Sequence, residues 1–281
     1  MTISVIIPCY KGERHIANCL ENLLGQKYKM KLEIIVVIDG DIDNSASIAR
    51  RYPVKVIVLD KNQGISTARN VGFDAATGDY VHFMDVDDRV NEDFYANMAV
   101  ALYDTGADIA CCGIFSERKA YKSQVFHKIK VYTSTRGKLS VTWVVKWGFV
   151  WRYIFKRSFL LEHNLRFEVG RFIEDRYFSF TALYYADIVV TVPGAVYTYC
   201  DTAGSVLNIK GKQWKRKMKN DYSHSDDIIK EFAREHSISA PGLSWDPGII
   251  LYIIRKYCII IASSIFRDYY HNPLSDRYIK Y

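Results

Sequence analysis

Three carboxylates stand within four positions, at Asp85, Asp87 and Asp88, directly after the apolar run 80–84. Their mutual repulsion is costly in a partly buried site unless a cation neutralises them. Carboxylate oxygens suit Mg²⁺ and Mn²⁺, which usually complete their coordination with water and substrate phosphates. The alternative is an acidic loop that caps the helix predicted to begin near residue 93. The local sequence leaves both interpretations open.

Two other acidic positions also stand at the ends of predicted elements. Asp39 comes after the apolar run 34–38 and before Gly40. Its carboxylate can accept a hydrogen bond from a nucleobase or a ribose hydroxyl, or it can bond its own backbone in a turn. Glu174 and Asp175 begin a predicted helix, where they can complement the helix dipole or supply a general base.

The segment 62–72 carries a complementary positive charge. Gly64 opens a predicted helix whose N-terminal amides can meet an anion, and Arg69 adds a guanidinium nearby. The segment therefore indicates an anion site.

The elements that position these residues follow from the hydrophobic pattern. Apolar runs and helical patterns alternate over the first 115 residues, which predicts an α/β fold with a doubly wound, mostly parallel sheet and helices on both faces. Ligands of such sheets bind at the carboxyl ends of the strands, where Asp39 and Asp85 fall. The predicted strands are 3–7, 33–38, 54–59, 80–84 and 108–113, and the predicted helices are 14–25, 45–52, 65–76 and 93–103.

The alternation ends after residue 115. A boundary near residue 205 would give an α/β domain at 1–205, which holds the acidic residues above, and a mainly helical C-terminal region at 206–281. The further predicted elements are strands at 125–131 and 150–155, a helix at 174–185, two strands at 189–190 and 195–199 around a turn at Pro193-Gly194, and helices within 212–270.

Five short motifs, in this order, resemble glycosyltransferase family 2, whose fold is called GT-A. The resemblance covers residues 3–205 and implies a GT-A-like domain that binds a nucleotide-sugar donor. The matching motifs are Val5-Ile6-Ile7-Pro8-Cys9-Tyr10, Val37-Ile38-Asp39-Gly40, Asn62-Gln63-Gly64 with Ala68-Arg69-Asn70-Val71-Gly72, Gly78-Asp79-Tyr80 leading into Phe83-Met84-Asp85-Val86-Asp87-Asp88, and Glu174-Asp175.

The resemblance implies a nucleotide pocket at the end of the first two strands. Pro8 and Tyr10 would line it, with Glu13 close by, and Asp39 would contact the base, often uracil in this family. One departure lies here, because Ile38 replaces the first of two adjacent Asp residues that the family often shows before the glycine. The identity of the base therefore stays open.

The resemblance also implies roles around the sugar and phosphates. Arg69 and Asn70 would support the donor near its ribose and phosphates. Asp85 would contact ribose or the metal, and Asp87 would bind the metal, which would be Mn²⁺ or Mg²⁺. Asp175 would be the catalytic base. The sequence identifies no third metal ligand among its 7 His residues.

These roles describe a single displacement at the sugar carbon. A divalent cation stabilises charge on the departing nucleoside diphosphate, while a carboxylate takes the proton of the acceptor hydroxyl. One displacement inverts the anomeric centre. We therefore expect an inverting hexosyl- or N-acetylhexosaminyltransferase, using a UDP-sugar, that acts on a glycan or lipid-linked acceptor in surface polysaccharide biosynthesis.

Two other functions, a nucleotidyltransferase and a non-catalytic scaffold, fit the sequence less well. A sugar-1-phosphate nucleotidyltransferase would need a Gly-rich, basic loop after the first strand, where this chain has Pro8-Cys9-Tyr10-Lys11-Gly12. A non-catalytic sugar- or membrane-binding scaffold would not need the acidic set. No Gly-x-Gly-x-x-Gly follows the first strand, which argues against a Rossmann oxidoreductase.

The C-terminal region raises the question of partners. A basic run at 210–219 can face anionic lipid or be a solvated helix face, and the apolar run 249–266 is interrupted by Arg255-Lys256. That run suits a core or homodimer helix, or else an interfacial membrane helix. We expect no nucleic-acid partner. The scattered cysteines and the absence of a leader predict a cytoplasmic protein, or one peripheral to the inner face of the membrane.

Overall fold

A nine-stranded mixed sheet forms the centre of the computed structural model, which describes residues 1–27, 31–117, 123–202 and 211–239. The strands run in the order β3-β2-β1-β4-β8-β6-β9-β5, and β7 pairs with β9. Their bounds are Thr2–Cys9 (β1), Lys31–Asp39 (β2), Lys55–Leu59 (β3), Tyr80–Phe83 (β4), Arg89–Val90 (β5), Ile109–Ser116 (β6), Lys130–Tyr132 (β7), Tyr153–Lys156 (β8) and Val189–Tyr199 (β9).

The sheet divides into a parallel half and a mixed half. β3, β2, β1 and β4 are parallel neighbours, so their carboxyl ends share one edge. β8 is antiparallel to both β4 and β6. β6 and β9 are parallel, and the short strands β5 and β7 are antiparallel to β9. The α/β class is therefore confirmed, and the antiparallel pairs are confined to the half beyond β4.

Helices cover both faces of the sheet, as the sequence predicts. Val5 and Ile7 face a core layer with α1, α2 and α4, while Ile6 faces the layer with α3 and α5 to α8, because successive strand side chains point to opposite faces. The helices are Ile16–Leu24 (α1), Ser45–Ala49 (α2), Ile65–Asp74 (α3), Phe94–Thr105 (α4), Thr135–Thr142 (α5), Arg157–Glu162 (α6), Glu174–Tyr185 (α7) and Lys212–Glu235 (α8).

The turn predicted at Pro193-Gly194 is wrong, because β9 runs through it. The pairing with β6 shifts from Cys112↔Val192 to Gly113↔Val196, so the intervening residues of β9 form a bulge. Gly194 accommodates it with a φ of 72°, and its carbonyl accepts hydrogen bonds from two asparagine side chains. Such a bulge absorbs residues that would otherwise end a strand.

Two predicted strands of the second half are shorter than expected. Only Lys130–Tyr132 of the predicted strand 125–131 is in the sheet as β7, apart from an isolated bridge between Ile114 and Gln124. The predicted strand 150–155 begins as a 3₁₀ turn at Val150–Arg152 and becomes β8 at Tyr153. Apolar content alone does not distinguish a tight turn from a strand.

Helix α8 follows the proposed boundary near residue 205 and packs against α7. Ile229 and Phe232 of α8 belong to the core layer that contains α7, and the Phe232 ring contacts Tyr184 at a centroid distance of 5.2 Å. The domain boundary itself stays a prediction. The helices predicted beyond residue 239 and the run 249–266 lie outside the described residues.

A buried histidine predicts acid sensitivity of the fold. His82 on β4 is fully buried; its Nε2–H donates to the Trp151 carbonyl at 2.8 Å, and Nδ1 accepts from the Tyr95 hydroxyl at 2.8 Å. Burial lowers the pKa of His82 from 6.5 to about 4. Protonation therefore favours the unfolded chain, and the contribution of neutral His82 is lost as the pH falls from 6.5 through 4.

The measurement is the free energy of unfolding in urea at pH 7 and at pH 4.5. His82→Gln should remove roughly 2–3 kcal/mol of the fall in stability seen in the parent between these pH values. His127→Gln changes an exposed histidine and serves as the control, with the parent slope retained. Equal slopes for His82→Gln and the parent would contradict the prediction.

Candidate active site

The carboxyl ends of neighbouring parallel strands bring three predicted site residues to one edge of the sheet. Tyr10 follows β1, Asp39 ends β2, and Asp85 lies just beyond β4, with β1 between the other two strands. Tyr10 is 46% exposed and is therefore available to a ligand, whereas Pro8 is buried within β1. The edge matches the place where α/β sheets bind ligands.

Arg69 joins three distant segments at this edge. Its side chain lies on α3, is buried, and donates from Nη2 to Asp85 at 2.9 Å and from Nη1 to Glu174 at 2.5 Å. Phe167 lies against the guanidinium, with its ring centroid 5.3 Å away. The pairing holds the loop after β4 and the start of α7 at opposite ends of one planar cation, as the fork of an arginine allows.

Asp175 is next to this network without being part of it. Its half-buried carboxylate forms no hydrogen bond with any residue that the structure describes. Burial raises the pKa of Asp175 to about 7, with the Glu174 charge adding to the rise and Arg69 opposing it. A carboxylate with a pKa near neutrality and an unoccupied hydrogen-bonding capacity has the properties of a general base.

The acidic loop after β4 contains three carboxylates in different surroundings. Asp85 bonds Arg69, Asp87 accepts a hydrogen bond from the Thr202 hydroxyl at 2.6 Å, and buried Asp88 accepts one from the Cys200 amide at 2.8 Å. Burial raises the pKa of Asp88 well above its usual range, and the charges of Asp85 and Asp87 raise it further. A cation at this loop would relieve that repulsion.

The carboxylates of this loop fit a divalent cation whose remaining ligands come from the diphosphate of a substrate and from water. No three His, Cys, Asp or Glu side chains of the described residues are grouped to hold a metal by themselves. Mg²⁺ sites are usually built from one or two carboxylates plus substrate phosphates and waters. Asp85 and Asp87 are half-buried in the loop after β4 and meet that smaller requirement.

Three residues predicted to contact the donor have partners within the protein. Both oxygens of buried Asp39 accept from the loop before α3, from the Gln63 amide at 2.6 Å and the Gly64 amide at 2.9 Å. Asp39 therefore holds that loop in place. The sequence allowed a bond from Asp39 to the backbone of its own turn, whereas the backbone amides that it binds lie 24 and 25 residues further along the chain. Its contact with a base stays a prediction.

Glu13 and Asn70 bind backbone in the same way. Glu13 accepts from the amide and the side chain of Asn44 at 3.1 and 3.2 Å. Asn70 donates to the Phe167 carbonyl at 2.9 Å and accepts from its amide at 3.0 Å. These bonds hold the start of α2 and the segment before α7, and a donor contact of either residue stays a prediction.

Two residues of the site have partners that the sequence does not predict. Glu174 is predicted to complement the dipole of α7 or to supply a base, and in the structure it is the buried partner of Arg69. Tyr197 of β9 accepts a hydrogen bond from the Asp85 amide at 3.1 Å and its ring stacks on Trp151 at 4.3 Å. An acid beside a candidate base was a usable signal for Glu174, whereas nothing local marks Tyr197.

Comparison with known proteins gives a family match and a fold match. The family model described as "Glycosyl transferase family 2" matches residues 4–172. The uncharacterized glycosyltransferase EpsJ of Bacillus subtilis is 31% identical over 221 residues, which cover 75% of this chain and 64% of EpsJ. Glycosyltransferase GlyA of Streptococcus pneumoniae is 26% identical over 231 residues, covering 75% of this chain but 32% of GlyA. The chain thus spans less than two thirds of either relative.

Among solved structures, S. aureus TarS 1-349 in complex with UDP-GlcNAc superposes with a TM-score of 0.64 at 20% identity, covering 84% of this chain and 72% of that one. The mannosyltransferase PcManGT from Pyrobaculum calidifontis, in complex with GDP-Man and Mn²⁺, gives a TM-score of 0.56 at 17% identity. These likenesses show a shared fold, and they confirm the GT-A-like architecture. Of the C-terminal region, the structure describes helix α8.

Proposed function

Because this chain belongs to glycosyltransferase family 2, we propose that it transfers a hexosyl or N-acetylhexosaminyl group from a UDP-sugar to a glycan or lipid-linked acceptor with inversion of configuration. The observation that carries the proposal is the placement of Asp175, without a hydrogen-bond partner among the described residues, beside the Asp85–Arg69–Glu174 network at the carboxyl edge of the sheet. The proposal includes a place for this reaction in surface polysaccharide biosynthesis.

The residues divide the chemistry between an acceptor side and a donor side of the site. On the acceptor side, Asp175 takes the proton from the attacking hydroxyl as the new glycosidic bond forms. On the donor side, Tyr10 lies beside the base, and Arg69 orients Asp85 toward the ribose. Burial raises the pKa of Asp85, and the Arg69 guanidinium opposes that rise. Departure of the nucleoside diphosphate breaks the bond to the sugar carbon on the face opposite the attack, so one base is sufficient and the anomeric centre inverts.

The test of this function is nucleotide release from a set of donors. Purified protein is incubated with UDP-GlcNAc, UDP-glucose, UDP-galactose and GDP-mannose in the presence of Mn²⁺, and free UDP or GDP is measured with and without candidate glycan acceptors. We expect UDP release from one UDP-sugar that increases with acceptor. Binding of UDP without any release would favour a non-catalytic scaffold, and pyrophosphate-dependent formation of a sugar-1-phosphate would favour a nucleotidyltransferase.

Mn²⁺ or Mg²⁺ is the proposed cofactor, held by Asp87 and shared with Asp85. When bound, the ion neutralises charge that develops on the diphosphate. Asp87→Ala should weaken UDP binding in the presence of Mn²⁺ by at least about tenfold, since metal affinity falls by 10- to 100-fold even when residues behind a ligand are changed. Without metal, the two proteins should bind UDP equally.

Isothermal titration of UDP with Mn²⁺ and with a chelator measures this effect without any turnover. Asp104→Ala is the matched control, because Asp104 is an exposed acid on α4 and its removal changes net charge by the same amount. Equal Mn²⁺-dependent affinity in Asp87→Ala and the parent would remove Asp87 from the metal site.

We propose cytoplasmic location, with contact to the membrane surface through 210–219 and 249–266. The described part of the basic run carries exposed cations at Lys212, Lys215, Arg216, Lys217 and Lys219, and each basic residue near an anionic bilayer contributes about 1 kcal/mol. None of the helices in the described ranges combines the length and apolar character of a membrane span.

We expect the protein to co-sediment with anionic vesicles and not with zwitterionic ones. If 249–266 instead forms a homodimer, light scattering should give twice the mass of one chain.

A further inference from the structure

We propose that helix α8 positions the catalytic base Asp175. Two carboxylates of α8, Asp221 and Asp226, hold the segment that carries Asp175, one on each side of it. This inference rests on the proposed function and adds positioning residues that lie beyond the family match, which ends at residue 172. The two contacts flank Asp175, one at the residues that precede α7 and one at the residue that follows the base.

The first contact fixes the loop that leads into α7. Asp221 is 3% exposed, and its Oδ2 accepts from the Phe172 amide at 3.3 Å while Oδ1 accepts from Arg171 at 3.2 Å. Lys217, one turn earlier on α8, donates to the same carboxylate at 3.0 Å and to the Gly170 carbonyl at 3.2 Å. A buried carboxylate thus satisfies a backbone amide two residues before the first residue of α7.

The second contact fixes the first turn of α7. Arg176 is 5% exposed and donates from Nη2 to Asp226 at 2.6 Å and to the Val145 carbonyl at 2.5 Å. Gly148 packs so closely on this turn that a Cβ there would lie 2.2 Å from the Arg176 Cα. Asp226 is the one carboxylate paired with Arg176 among the described residues, so its removal would leave a buried guanidinium without a counter-charge beside the base.

Helix α8 can act as a firm support because its C-terminal half is anchored in the core. Phe232 packs edge-on against Tyr184 and Phe180 of α7, and Ile229 is 1% exposed. The helix therefore touches α7 at its far end through apolar packing and at its near end through the two carboxylates. A general base must be held within a fraction of an ångström of its working position, since a 1 Å misplacement can reduce the rate by about 10²-fold.

The experiment compares Asp221→Asn, Asp226→Asn and Asp226→Glu with Asp227→Asn, all in the full chain. Asp227 is the exposed neighbour of Asp226 on α8, so its substitution makes the same chemical change without touching α7. Three quantities are measured: kcat and donor KM for transfer, UDP affinity, and amide hydrogen exchange of the peptide that contains residues 170–180.

We expect Asp221→Asn and Asp226→Asn to lower kcat at least about tenfold, to leave donor KM and UDP affinity unchanged, and to speed exchange in the 170–180 peptide. Asp226→Glu, which keeps the carboxylate, should have a higher kcat than Asp226→Asn. Asp227→Asn should have the kcat and the exchange rates of the parent. Parental kcat and exchange in Asp226→Asn would overturn the proposal, and so would a fall in UDP affinity that accounts for the lost activity. If the parent itself transfers no sugar, the proposed function fails, whereas the exchange comparison still decides whether α8 holds this segment.

Discussion

Replacing Asp175 with Asn should lower kcat for sugar transfer by about 10²- to 10⁴-fold, the range of a lost general base, while UDP affinity should be retained. The substitution keeps the size of the side chain and removes its ability to take a proton. The reason to expect the full effect is local. Asp175 is half-buried and forms no hydrogen bond within the described part of the chain, so its carboxylate is available to the acceptor hydroxyl.

The same residue predicts the pH dependence of the parent enzyme. Burial and the neighbouring Glu174 raise the pKa of Asp175 to about 7, and a base works only when deprotonated. The kcat should therefore fall as the pH drops below about 7, with the apparent pKa belonging to the coupled Asp175–Glu174 pair. The residual activity of Asp175→Asn should lack this acid limb.

Three measurements separate loss of a base from loss of a fold. In Asp175→Asn, UDP titration should be parental and thermal unfolding should occur at or above the parental temperature, because the substitution removes a carboxyl whose folded pKa is raised. Asp104→Asn, a change of an exposed acid on α4, should retain parental kcat and pH profile. Normal turnover in Asp175→Asn would show that another group accepts the proton, and the assignment of Asp175 would then be abandoned.

The parallel half of the fold was predictable because its signals are local. Each of the strands β1 to β4 is an apolar run followed by a helical pattern, and parallel pairing places their carboxyl ends on one edge whatever the details of packing. That rule brings Asp39 and Asp85 to the same edge from the sequence alone. The mixed half carries weaker signals, and the Pro193-Gly194 pair, which usually ends a strand, is absorbed by a bulge in β9.

The partners of the site residues were not predictable in the same way. Asp39 and Asn70 bond backbone groups 24 and 97 residues away, and a residue type does not state which backbone amide its oxygen will meet. Arg69 and Glu174 are 105 residues apart, so their ion pair depends on how α3 and α7 pack on one face of the sheet. The motifs therefore predict which residues gather at the edge, and packing decides which of them are left to contact a ligand.

Replacing Arg69 with Met should destabilise the protein by about 3–5 kcal/mol at pH 8, the cost of removing one partner from a buried ion pair. The Glu174 side chain is 2% exposed and that of Asp85 25%, so the substitution leaves two facing carboxylates with little water to solvate them. Urea unfolding measures the loss. Lys27→Met breaks an exposed pair with Glu92 whose side chains are 53% and 69% exposed, and it should cost at most about 1 kcal/mol.

The pH dependence of this loss distinguishes charge repulsion from lost packing. Burial raises the pKa of Glu174 in the parent, opposed by Arg69, and without the guanidinium the pKa rises further. A carboxyl whose folded pKa lies above its unfolded value stabilises the fold when protonated and loses that contribution as the pH rises. The gap between Arg69→Met and the parent should therefore be widest at pH 8 and narrow toward pH 5, and Arg69→Met/Glu174→Leu should recover part of it at pH 8 because the buried charge is gone. A gap that is constant with pH would mean that Arg69 acts through its packing on Phe167, and the electrostatic account of this network would have to be given up.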